Sequence, residues 1–135
     1  MAGYSGTPLA KKLGIKPGTL LCVVNAPADY AALLDPLPEN VAIVREATDG
    51  LDIVHLFVKR RSELSELINI YKNKIKQNGA IWVSWPKKAA RIATDITEDT
   101  VREVALPLGL VDIKVCAVDD VWSGLKLVIR KENRT

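Results

Sequence analysis

The residues in this sequence best suited to chemistry are six cations in two short runs. Lys59, Arg60 and Arg61 directly follow the apolar stretch LDIVHLFV, and Lys87, Lys88 and Arg91 follow AIWVSWP. Ammonium and guanidinium groups clustered in this way neutralise phosphate oxygens, whether of a nucleotide or of a nucleic-acid backbone. Trp85, beside the second run, offers a face on which a base could stack. Asn25, in the loop after TLLCVV, adds an amide to the same candidate ligand-binding set. The plain alternative is that the cations solvate their loops and pair with nearby acids such as Glu63 and Asp95.

Three further groups invite a chemical reading, and each has a structural one. Ser84 stands near Lys87 and Lys88, as a Ser–Lys nucleophile requires, but it lies inside a strand-like run without a glycine elbow, where its hydroxyl would satisfy a neighbouring backbone group. His55 is flanked by Val54 and Leu56 in an apolar run, the setting of a buried, hydrogen-bonded imidazole rather than a general base. Asp119-Asp120-Val121-Trp122-Ser123-Gly124 could cradle a cation or a polar ligand, yet paired aspartates also tighten a hairpin turn, and a tryptophan there can cover the core. No catalytic residue and no metal ligand is assigned.

Composition limits the classes open to such a site. The chain has 135 residues, 48% hydrophobic and 26% charged, which is globular composition and the size of one domain, 1–135. Nineteen basic against sixteen acidic residues leave a formal charge of +3, too small an excess to argue for nucleic acid by itself. Cys22 and Cys116 each sit in an apolar run, as buried free thiols do, and a single histidine without a Cys-x-x-Cys pair gives no zinc pattern. No stretch approaches the ~20 apolar residues of a membrane span, and the first residues lack the apolar core of a signal peptide. The expected setting is the cytoplasm, with no membrane partner.

The elements that must position these groups alternate along the chain. A polar arm, 1–18, contains a short helix over 8–13 closed by Gly14 and the Pro17-Gly18 turn. Apolar runs at 19–25, 41–47, 51–58 and 80–85 predict strands, the first and last of them buried on both faces of a parallel sheet. Helices are predicted over 27–34, with Pro27 at its first turn; from the N-cap Ser62 to Gln77, ended by Asn78-Gly79; and from the N-cap Thr97 to about Leu108. Residues 112–118 and 125–130 predict a closing antiparallel pair, and the basic tail, 131–135, is read as loose.

This order predicts an α/β fold with a mainly parallel, Rossmann-like sheet, helices on both faces and a C-terminal antiparallel strand pair. In topology it resembles a truncated Rossmann-like methyltransferase fold. That resemblance implies S-adenosylmethionine as cofactor, a glycine loop after the first strand and an acid after the second to bind the ribose. The loop here reads Asn25-Ala26-Pro27-Ala28-Asp29, without glycine, while Glu46 supplies an acid near the second strand's end. The segments SGTPLAKKLGIKPG, NAP, WVSWPKK, TDITEDTVRE and GLVDIKVCAVDDVWSGLKLV also resemble an uncharacterised bacterial domain-of-unknown-function family. It implies a small cytoplasmic bacterial protein and assigns no site residues.

In open α/β sheets ligands bind outside the carboxyl ends of the strands. Placed there, Asn25, Lys59, Arg60, Arg61, Trp85, Lys87, Lys88 and Arg91 predict a non-catalytic binding module for an anionic small molecule or nucleic acid. The alternatives are a reduced methyltransferase-like enzyme and a homo-oligomeric interaction protein.

Overall fold

The computed structural model describes residues 7–135, so residues 1–6 of the predicted arm lie outside the described residues. The strands are β1 (Leu20–Val24), β2 (Ala42–Val44), β3 (Leu51–Phe57), β4 (Ile75–Ser84), β5 (Leu110–Ala117) and β6 (Ser123–Ile129). The helices are α1 (Leu9–Leu13), α2 (Tyr30–Leu34), α3 (Arg61–Tyr71) and α4 (Glu98–Ala105). All six strands form one sheet in the order β2-β1-β3-β4-β6-β5. The β2, β1, β3 and β4 strands are mutually parallel, and β6 joins antiparallel to β4 and to β5, the predicted mixture.

Because side chains alternate along a strand, each apolar run feeds two cores. Val54, Leu56, Ile81, Val83, Leu125 and Leu127 face α3 and α4, where they meet Leu64, Ile68, Val101 and Val104. On the other side Leu21, Val23, Ile53, Phe57 and Trp82 meet α1 and α2 through Leu9, Leu13, Tyr30 and Leu34. Full burial of each such side chain contributes roughly 1.5–3 kcal/mol, which is why runs that are apolar at nearly every position end up central.

Local chemistry sets the helix ends. At α4, Thr97 Oγ1 accepts from the Thr100 N–H at 3.2 Å and Thr100 Oγ1 accepts from the Thr97 N–H at 3.1 Å, a reciprocal cap. Arg102 ties this helix to β5 by bonding Asp112 at 3.0 Å while also holding Asp99 and Glu98. Gly14 closes α1 at φ 82°.

Four expectations need correction. The first turn of the second helix is not helical, because Pro27 to Asp29 form a turn closed by the Tyr30 N–H on the Pro27 carbonyl. The helix predicted from Ser62 to Gln77 is capped at Arg60 and stops at Tyr71, since Ile75 is needed opposite Leu51 as the start of β4. From there the pairing jumps to Ile53 opposite Ala80, two steps on β3 against five on β4, so Asn78-Gly79 lies in a bulge rather than at a helix end. The tail is also tied down: Lys131–Asn133 makes a 3-10 turn, Arg134 Nε donates to the Ile129 carbonyl at 2.9 Å, and the Thr135 N–H donates to Gln77 Oε1 at 3.1 Å.

Candidate functional site

The chain leaves β1 through α2 on one face of the sheet and leaves β3 through α3 on the other, so the carboxyl ends of β1 and β3 border the crevice where the connections diverge. Asn25 stands at one lip with φ 59°, a left-handed conformation that asparagine tolerates. Its side-chain amide donates to Glu63 Oε2 at 3.3 Å, and the Lys59 N–H donates to Glu63 Oε1 at 3.4 Å. A carboxylate from the first turn of α3 therefore bridges the two strand ends. Sequence reasoning treated Glu63 only as a surface partner for cations; its place three residues inside the helix that follows β3 was the available signal.

The two basic runs share one rim because β3 and β4 are parallel neighbours, with Phe57 opposite Ser84. The Lys59 carbonyl accepts from the Thr94 hydroxyl at 2.7 Å and from the Asp95 N–H at 3.2 Å, so the loop after β4 crosses the end of β3. Lys59, Arg60, Lys88 and Arg91 are exposed on this rim, Lys87 is half-buried, and Arg91 takes φ 55°. Arg61 turns away: its N–H donates to Asp95 at 2.7 Å and its guanidinium pairs with Glu103 at 2.8 Å along α3 and α4. Trp85 does not offer a stacking face. It is 8% exposed and lies in the aliphatic core with Ile96 and Val101, because position 85 points to the same side as Ile81 and Val83.

Behind the rim runs a chain of buried polar groups. The Tyr30 hydroxyl meets His55 Nδ1 at 2.8 Å, and His55 Nε2 meets Ser84 Oγ at 2.7 Å. Burial with no acid nearby holds the imidazole neutral, its pKa pushed down to about 3, and raises the Tyr30 phenol above its ordinary value. Ser84 thus bonds to a side chain rather than to backbone as expected, and it addresses neither Lys87 nor Lys88. Ser84 and His55 are both 0% exposed, so the pair is out of reach of a substrate, and its polar atoms satisfy one another. Tyr30 was missed in the sequence; the signal was that a lone histidine in an apolar strand must find partners. Tyr30 also borders a small crevice of about 170 Å³ with Val23, Ala26, Pro27, Ile43 and Arg45, below the roughly 300 Å³ at which small-molecule sites begin.

The remaining candidates are structural. Asp119 Oδ1 accepts from the Val121 and Trp122 N–H groups at 2.8 and 2.7 Å, tightening the hairpin turn, and Trp122 lies edge-on to Phe57 at 5.0 Å. Among the described residues no group of three or more His, Cys, Asp or Glu side chains is placed to hold a metal ion. Both cysteines are free; Cys22 is buried with its thiol near the Tyr71 hydroxyl at 3.7 Å, and burial raises the pKa of each thiol. Glu46 offers its carbonyl to Cys22 and Thr48. Among the described residues no helix is long and apolar enough to cross a membrane.

Comparison with known proteins bears on the fold. No family model and no curated protein matches the chain. Solved structures do. A candidate type 11 methyltransferase from Sulfolobus solfataricus superposes with a TM-score of 0.67 at 13% identity, covering 94% of this chain and 92% of that one. A SAM-dependent methyltransferase from Aquifex aeolicus gives 0.61 at 14% identity over 90% of this chain and 87% of that one. The B. subtilis tRNA methyltransferase TrmK gives 0.57 at 11% identity over 94% and 67%. The architecture is thus that of the methyltransferase-like α/β fold, as the element order implied.

Proposed function

We propose that this protein uses a methyltransferase-like fold to bind a phosphate-bearing ligand, a nucleotide or an RNA backbone, across the carboxyl rim of β3 and β4, without catalysing a reaction there. What supports this reading is that Lys59, Arg60, Lys87, Lys88 and Arg91 follow the carboxyl ends of two adjacent parallel strands and are exposed or half-exposed there. With Trp85 in the core, contact is to phosphates rather than to stacked bases, so recognition is electrostatic and insensitive to sequence. The test is titration of ATP and of a short single-stranded RNA, labelled for fluorescence anisotropy, against salt. Affinity is expected to fall steeply with ionic strength, and Lys87→Ala with Lys88→Ala to flatten the RNA slope by about one unit per lysine. Binding unchanged in that double variant overturns the site.

A second reading, an S-adenosylmethionine-dependent enzyme, is favoured by the fold. Two features weigh against it: the β1 loop has no glycine to admit a cofactor backbone contact, and S-adenosylmethionine carries a net positive charge that this rim repels. The residues present therefore do not fit the cofactor well. Calorimetry with S-adenosylmethionine at millimolar concentration decides the point, and measurable heat that Asn25 or Tyr30 variants abolish would reinstate the enzyme.

A further inference from the structure

The opposite edge of the sheet holds a larger cavity, about 420 Å³, lined by residues of the α1–β1 turn, the start of β3, the bulged start of β4 and the end of β6. Its volume lies in the range of small-molecule sites. Three ammonium groups border it, on Lys16, Lys76 and Lys126, against one carboxylate, Asp52.

That carboxylate is already committed. Asp52 Oδ2 accepts from the Leu20 N–H at 2.8 Å and Oδ1 pairs with Lys76 at 2.9 Å. Although burial pushes its pKa up, these bonds prevail and hold it below the ordinary value. Lys76 and Asp52 thus cancel, and Lys16 and Lys126 border the cavity with no carboxylate within ion-pair reach among the described residues. Lys126 is half-buried, and Lys114 stands directly opposite it on β5, on the same face of the sheet. Its Nζ lies 3.7 Å from where a Cβ on Gly14 would sit, at the cavity wall. Burial first, then Lys114 and Lys16, push the Lys126 pKa down, the mark of a cation lacking a counter-charge.

We propose that this amino-edge cavity binds a small phosphorylated molecule, with Lys126 and Lys16 as the phosphate ligands and the Asn78 amide available to its polar body. An ammonium repelled by two others and half removed from water gains most from a dianion. The site is separate from the carboxyl rim, because the length of β3 between them is about 20 Å at the rise of a strand.

The probe is pyrophosphate, with inorganic phosphate in parallel, titrated by calorimetry and by lysine Nζ NMR. Wild-type protein is expected to bind pyrophosphate; in the Lys87→Ala, Lys88→Ala background, which removes the rim's share of that binding, the cavity is expected still to bind it, and adding Lys126→Met to weaken this remaining binding at least tenfold. Saturation is also expected to raise the Lys126 pKa. Since Lys126→Met removes a repelled charge and keeps the apolar stem, its thermal midpoint should equal or exceed the wild-type value, which separates lost binding from lost folding. No binding to wild type at millimolar pyrophosphate, or equal binding by Lys126→Met, overturns the inference. Loss only in the Lys87/Lys88 variant assigns the anion to the carboxyl rim instead.

Discussion

The two faces of the sheet are built on different principles. The face under α3 and α4 is mainly aliphatic, with Tyr71 and Trp85 its buried aromatics, and is covered by helices of eleven and eight residues, the shorter capped by the Thr97–Thr100 pair and pinned by Arg102. The face under α1 and α2 is covered by two five-residue helices and filled by Phe57, Trp82, Trp122 and the Tyr30–His55–Ser84 chain. Where long helices are available, packing area is the main hold on the layer. Where they are not, aromatic edges and mutually satisfied polar atoms hold it, with Trp82 Nε1 donating to the Leu13 carbonyl at 3.0 Å to fasten α1.

That contrast can be broken most forcefully on the aliphatic side. Leu64→Ala should cost about 3 kcal/mol in urea unfolding, because Leu64 is fully buried and no polar bond compensates. The polar side should instead respond to pH. His55 is neutral in the fold with a pKa of about 3 and titrates near its ordinary value when unfolded, so the unfolded chain takes up the proton first. Its contribution is complete above about pH 6.5 and lost progressively as pH falls toward 3, amounting to about 2 kcal/mol between pH 7 and pH 5. A His55→Gln variant should lack that pH dependence; an unchanged slope would place its origin elsewhere. Tyr30→Phe leaves one imidazole nitrogen without its partner and should cost about 1–2 kcal/mol. Thr97→Ala removes the reciprocal cap of α4 and should cost about 1 kcal/mol. Arg61→Ala, whose pair with Glu103 is about half exposed on both sides, should change stability by less than about 0.5 kcal/mol.

The legible and illegible parts of the sequence divide along the same line. Strand positions and the α4 cap were readable because each rests on local composition: TLLCVV, LDIVHLFV and AIWVSW are apolar at almost every position, and Thr97 precedes two acids. The end of α3 was not, because Leu64, Leu67, Ile68, Tyr71 and Ile75 keep helical spacing past the point where Ile75 is claimed by Leu51 across the sheet. At the rim, the basic runs were readable from their position after strands. The bridging Glu63 and the pairing of Tyr30 with His55 depend on residues 25 to 38 positions apart coming together, which no local pattern encodes.

The register jump in β4 separates two tasks carried by one strand. Residues 80–84 keep strict alternation between the two cores, whereas residues 76–79 are released from pairing, and Lys76 and Asn78 among them border the amino-edge cavity. Only Gly79 is fixed there by space, since a Cβ would approach the Lys76 and Asp52 carbonyls to 3.0 and 3.1 Å. Because a one-residue slip would invert every side chain of a continuous strand, the bulge acts as a buffer: lengthening or shortening it reshapes the cavity mouth while the phase of the strand beyond stays put. The fold can thus accept insertions and deletions at that corner without renegotiating its interior.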